Sequence, residues 1–446
     1  MTEQPRPSGV ERFLNLFTQV RPGEARTALL LALNVFLILM AYYILKTVRE
    51  ALILGEGSAE LKSYLSAGQV VLLAFVVPLY GRLVAAYSRM KLINVVTVFF
   101  IICPPIFYVL AQLGVPLGLI YFVWIGIFNL MIVAQFWSFA NDVYSKEEGE
   151  RLFVIVGFGA SIGAIAGAVI ADGLIEPFGV LQLMLIGAGV LVAQLALTNH
   201  IDRVERGRRP PVPKPATKSV STNAFAMVFN TRYLLLMGLM LMMLNWINTT
   251  GEYILGSIVK NNAVALVASG QAGGLSEGQI IGDFYAKYFS LVNVLSLVLQ
   301  LFVVSRIVKY WGVGWAVMVL PALSFGAYNI LVFMPTLYAV LTAKVAENAT
   351  DYSLSNTVRN MLFLPLTYEQ KFSAKQAIDS FFVRMGDVLS AALVFVGTTW
   401  IALPPRGFAL ANASLVVVWL VLAWRVGRQY NAIAVKSSTP AAPAQA

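Results

Sequence analysis

The chain has 446 residues, 59% of them hydrophobic and only 12% charged, with a net charge of +10. Soluble domains carry nearer a quarter charged residues, so the composition defines an integral membrane protein. One cysteine, Cys103 in an apolar run, and one histidine, His200, exclude a disulfide framework and a histidine-rich metal centre, and they weaken any catalytic scheme that needs a histidine base.

Residues 1–26 are polar, with Arg6, Arg12, Arg21 and Arg26. They lack the short apolar core of a secretory signal and are expected to form a cytoplasmic segment. Apolar stretches of about 20 residues, enough to span a bilayer, then occur at 28–54, 63–81, 92–112, 117–141, 152–172 and 178–198. After a break they resume at 233–258, 281–304, 314–334, 336–363, 377–402 and 408–425. The expectation is an all-α membrane protein of about twelve transmembrane helices.

Lys and Arg gather after the even-numbered spans: Arg82, Arg89 and Lys91, then Lys146 and Arg151, then Arg306 and Lys309. The positive-inside bias puts both termini in the cytoplasm and explains the basic excess without nucleic acid. The break at 200–231, which opens "HIDRVERGRRPPVPKPATKSVSTN", is basic and proline-rich and reads as a cytoplasmic linker. It separates two six-helix halves, 27–199 and 232–428, and residues 429–446 are expected to be a disordered cytoplasmic tail. Two six-helix halves around a basic central loop are the layout of the major facilitator architecture, in which the halves rock about a midplane site. Span five carries Gly159, Gly163 and Gly167 at four-residue spacing, a pattern for close helix approach.

Several charges fall inside spans. In "AYYILKTVREALIL" (41–54), Lys46, Arg49 and Glu50 share a helix face one turn after Tyr42 and Tyr43. Each such charge costs about 3 kcal/mol near a bilayer centre on insertion scales. The bland alternative is a helix end whose side chains snorkel to water. Span ten carries Lys344, Glu347, Asp351, Ser355 and Arg359 in one stripe, with Asn348, Tyr352, Asn356 and Asn360 beside it. A polar face of that breadth belongs in the bundle interior or a water-filled cavity. Its alternative is a structural network of ion pairs. Span seven adds Asn245, Asn248, Thr249, Thr250 and Glu252, and its Thr-Thr-Gly run suggests a broken helix; Gln135, Asn141 and Asp142 close span four. The expected cavity takes Lys46 and Arg49 from the first half and Arg359 from the second. Fixed cations suit an anionic substrate, and guanidinium groups suit phosphate. No cofactor or metal is expected; the partners are the bilayer and a small anion, with the chain a monomer.

Three stretches resemble one family, the nucleotide (ATP/ADP) transporters of intracellular bacteria and plastids. They are "YYILKTVREALIL", "FWSFANDVYSKEEGERLFVIVGFGASIGAIAG" and "YSLSNTVRNMLFLPLTYEQKFSAKQAID". The resemblance implies nucleotide exchange across an inner membrane by alternating access, and no enzymatic activity. It implies roles for basic residues in spans one and ten, which carry over to Arg49 and Arg359, each Arg where the family has Lys. The family's acidic residues in spans four and seven do not carry over. Those positions fall near Ile125 and Asn248, with Glu252 one turn later. The substrate stays open between ATP/ADP and another phosphorylated or organic anion. A lipid or amphiphile carrier in the same fold is the runner-up, and a membrane enzyme or receptor is the weakest reading.

Overall fold

The computed structural model describes residues 9–15, 18–206, 224–366 and 374–438. The middle of the expected linker, 207–223, and the end of the tail lie outside the described residues. In chain order the helices are α1 (Gly9–Leu14), α2 (Ala25–Glu56), α3 (Ala59–Ala86), α4 (Arg89–Gln112), α5 (Gly118–Val143), α6 (Lys146–Phe178) and α7 (Gln182–Arg206). Next come α8 (Ala224–Asn230), α9 (Arg232–Ala268), α10 (Glu277–Phe302), α11 (Val304–Trp311), α12 (Val313–Ala316) and α13 (Val319–Phe333). Then there are α14 (Leu337–Thr350), a π-turn (Asp351–Ser355) and α15 (Asn356–Met361). Last are α16 (Lys375–Ala377), a second π-turn (Ile378–Phe382), α17 (Val383–Thr399) and α18 (Pro405–Ser438). The expected tail begins as helix: α18 continues through 429–438 rather than ending at 428.

Eleven helices among the described residues are long and apolar enough to cross a membrane. The twelfth expected span is present as α14, π-turn and α15 in unbroken succession. Lys344, Glu347, Asp351 and Arg359 make it too polar to count by composition. The large apolar side chains left exposed, such as Val71, Phe75, Phe99 and Phe333, are those of helices whose outer faces meet lipid.

The chain forms two compact units. One comprises Met1–Gly57, Val71–Pro215 and Leu266–Asn293; the other comprises Ser58–Val70, Ala216–Ala265 and Val294–Ala446. Two short pieces therefore pack outside the sequence half they come from, for chemical reasons. The start of α3 is held in the second unit by Tyr253 Oη donating to Glu60 (2.9 Å) and by Lys62 facing Glu252 (3.7 Å). The start of α10 is held in the first by Phe289 against Tyr43 and by Gly282 against Ala51 and Ile175.

In the first unit α2 and α6 pack backbone to backbone. A Cβ at Gly159, Gly163 or Gly167 would collide with the carbonyl oxygens of Ala32, Phe36 and Met40 in turn. The glycine spacing of one helix thus matches successive turns of the other. Buried polar pairs fix the neighbouring α7: Asn34 Nδ2 donates to Thr198 (2.8 Å), and Thr27 Oγ1 donates to Glu205 (2.7 Å). Arg89 bridges Asp142 (2.9 Å) and Asp202 (3.1 Å).

In the second unit the expected break in span seven is absent. The helix α9 runs unbroken from Arg232 to Ala268. Thr250 Oγ1 donates back to the Trp246 carbonyl (3.0 Å), so its hydroxyl is satisfied within the helix. Gly251 serves packing instead of a kink, because a Cβ there would strike the Tyr328 hydroxyl and lie 3.0 Å from Lys344 Nζ. The irregularity lies in span ten, at the π-turn.

Candidate functional site

In the first unit the charges of α2 sit among aromatic rings. Lys46 Nζ lies 4.1 Å from the ring centre of Phe289, 5.1 Å from that of Tyr43 and 5.9 Å from that of Tyr42. Each cation–π contact contributes about 0.5–2 kcal/mol, more when desolvated. Three rings therefore offset most of the cost of about 3 kcal/mol for a lysine at that depth. The Arg49 guanidinium stacks 4.9 Å over Phe122 and pairs with Glu50, with Nε at 3.0 Å from Oε1. The Arg49 side chain is 15% exposed and that of Glu50 1%. Side chains this enclosed are not snorkelling at a helix end.

In the second unit Lys344 is 1% exposed and fully engaged. Its ammonium donates to Glu347 (2.8 Å) and to the side-chain oxygen of Asn248 (2.7 Å), with Glu252 at 3.7 Å. Glu347 accepts in turn from Ser324 (2.9 Å) and Tyr328 (3.1 Å). Asn348 Nδ2 donates to Glu252 (3.0 Å). Here α9, α13 and α14 meet around one buried cation and two carboxylates. Asn248, near which the resemblance sets the family's span-seven acid, accepts from Lys344 through its amide oxygen, and Glu252 stands one turn on.

The π-turn decides where Arg359 points. Twelve residues of regular helix after Glu347, at about 100° each, would leave Arg359 about 120° round the axis. One extra residue in the turn takes back about 100° of that. Arg359 accordingly faces the same two neighbours as Glu347, now one level along: it lines a cavity with Met240 and Leu244 of α9, Leu320 of α13 and Trp419 of α18. Its Nε–H is buried, with no acceptor among the described residues. Asp351 opens the π-turn, half-buried between the two groups. The stripe drawn from regular spacing is thus kept by an irregular helix.

The remaining expected residue, Asn141, is exposed at the C-terminal end of α5, beside the Arg89–Asp142 pair, and shares no contact with Lys46 or Arg49. Ser324, Tyr328, Lys62, Glu60 and Tyr253 were not legible as network members. Ser324 and Tyr328 stand four apart in an apolar span, the one signal that marked a polar face. Lys62 and Glu60 stand in the first turn of α3, where charges are common and carry no sign of a distant partner.

The fold is shared with solved structures of transporters. A point mutant of the nucleoside transporter NupG superposes with a TM-score of 0.64 at 13% identity, over 91% of this chain and 99% of its own. A bacterial homologue of the iron transporter ferroportin, inward-facing, gives 0.64 at 13% identity, over 90% of this chain and 98% of its own. The fold is the one these transporters share, and the chain is a multi-pass membrane protein by its apolar helices. In sequence, residues 4–122 match the family described as TLC ATP/ADP transporter. ADP,ATP carrier protein 1 of Chlamydia pneumoniae is 22% identical over 93% of this chain and 93% of its own length. The resemblance carried by the three motifs therefore extends through the chain.

Proposed function

We propose that this protein exchanges nucleotides, ATP and ADP or other nucleoside tri- and diphosphates, across an inner membrane by alternating access. The observation that carries the reading is similarity to an ADP,ATP carrier over 93% of this chain, together with Arg49 and Arg359, which the motif resemblance sets where that family uses lysine. Lys46 and Arg49 in the first unit and Arg359 in the second are each phosphate-binding side chains. Glu50 in the first unit, and Glu252, Glu347 and Asp351 in the second, hold the cations of their own unit when no nucleotide is present, and Asn248 adds a neutral acceptor for Lys344. A buried cation that loses its carboxylate to a polyphosphate keeps its charge compensated, so exchange never leaves it bare. Both termini lie in the cytoplasm, and the working unit is the monomer.

A second reading, another phosphorylated anion in the same site, is favoured by Ile125. Where the family has a span-four acid, this side chain is fully buried beside Tyr121, Trp124 and Phe128. The test is uptake of labelled ATP into proteoliposomes, empty or preloaded with ADP. Exchange gives uptake that depends on internal nucleotide. No uptake of any nucleotide, with uptake of a simpler phosphate ester, moves the assignment to the second reading.

A further inference from the structure

A second charged cluster joins α9 to α17 in the second unit. Asp387 is 8% exposed, and its Oδ1 accepts from Asn245 Nδ2 (2.7 Å) and Thr249 Oγ1 (2.8 Å). Asn245 also donates to the Val383 carbonyl (2.8 Å), and Thr250 and Ser390 share a hydrogen bond (2.9 Å). A Cβ at Gly386 would lie 2.7 Å from the Met242 carbonyl oxygen, so the two helices touch along this line. One turn earlier Arg384 donates to the other oxygen, Asp387 Oδ2, at 3.4 Å.

That contact is loose. A structural arginine–carboxylate pair is short and two-pronged, whereas Arg384 uses one of its five N–H donors. The other four have no acceptor among the described residues, and the side chain is 39% exposed. Helix contact does not need the arginine either, because Asn245 and Thr249 already satisfy Asp387 and Thr250–Ser390 closes the seam with neutral groups. Nor does the guanidinium face lipid, since its partner is bound to α9 and i, i+3 side chains share a face. A π-turn, Ile378–Phe382, ends immediately before Val383 and sets this register.

We propose that Arg384, oriented by Asp387, is a further phosphate-binding residue for the transported anion. The assignment rests on the reading that the cargo is phosphorylated. The guanidinium takes two phosphate oxygens with its free donors, and Asp387 is the positioning residue that keeps it off the lipid side.

The test compares ATP with AMP in proteoliposomes of the full chain. Arg384→Gln is expected to raise the KM for ATP about tenfold or more and that for AMP far less, with Arg384→Lys in between. Asp387→Asn keeps an acceptor for Asn245 and Thr249 and is expected to raise the KM for ATP with the maximal rate unchanged. Equal losses for ATP and AMP, or a wild-type KM in Arg384→Gln, overturn the proposal. If Arg384→Gln does not reach the membrane, Arg384→Cys is labelled with a water-soluble thiol reagent, the wild type with its single Cys103 serving as control. Protection by ATP supports the assignment, and labelling indifferent to ATP, or no labelling, overturns it. Should the wild type carry no nucleotide, the exchange reading falls, and the probe becomes pyrophosphate in a thermal shift. Stabilisation of the wild type but not of Arg384→Gln then still supports a phosphate role, and equal stabilisation removes it.

Discussion

The cations inside the spans differ in how they are kept. Lys46 is held by ring faces, Lys344 by carboxylate and amide oxygens, and Arg359 has a buried Nε–H with no acceptor among the described residues. Of these three, Arg359 is thus the side chain whose hydrogen-bonding capacity a ligand can most readily complete. Arg359→Ala is expected to abolish nucleotide uptake while the protein still reaches the membrane. Arg359→Lys should keep part of it, because the resembling family uses lysine there; normal uptake by the alanine variant in proteoliposomes would refute the role. Lys344 and Glu347 behave otherwise. Either substitution alone, Lys344→Met or Glu347→Gln, takes from a buried charge its nearest ionic partner and should cost up to about 3–5 kcal/mol, less for Glu347→Gln because Glu252 stays 3.7 Å from Lys344. The double variant should recover a large share of that loss. A melting-temperature cycle that is additive would mean the two side chains do not act as a pair.

At the scale of the helix, span ten shows why periodicity reads a face more easily than a register. The charges at three- and four-residue steps were legible as one stripe because Lys344, Glu347 and Asp351 lie within regular or nearly regular helix. Arg359 shares their neighbours only through the π-turn, and no residue in "DYSLS" announces an extra residue in a turn. The Thr-Thr-Gly run of span seven misled for the converse reason: glycine is permissive of a kink but also of close packing, and Tyr328 with Lys344 takes up the space. Deleting one residue within 351–355 is expected to restore regular helix and turn Arg359 about 100° away. Uptake should fall as in Arg359→Ala, with far-ultraviolet circular dichroism unchanged. Uptake preserved in the deletion variant would show that the register of the π-turn does not matter to the site.

For the molecule as a whole, composition and hydropathy were enough to reveal an all-α membrane protein of about twelve spans, since hydropathy over 20 residues is a strong signal. The packing units were not legible, because what draws 58–70 and 266–293 out of their sequence halves is a few pairs: Glu60–Tyr253, Lys62–Glu252 and Tyr43–Phe289. Those lie far apart in sequence and carry no period. Charge also decides how exchange couples to energy. A fully ionised ATP carries one more negative charge than ADP, so a one-for-one exchange with no protonation of Glu252 or Glu50 moves one charge per cycle. A potential of 100 mV shifts such an equilibrium by about 2.3 kcal/mol, roughly 50-fold in the ATP/ADP distribution. Proteoliposomes clamped by a potassium diffusion potential, positive inside, should accumulate ATP against ADP by about that ratio, and reversing the potential should reverse it. If the distribution ignores the potential and tracks an imposed pH gradient instead, one of those carboxylates takes up a proton in each cycle. Of Glu252→Gln and Glu50→Gln, the substitution at that carboxylate should then abolish the pH response and restore the response to potential.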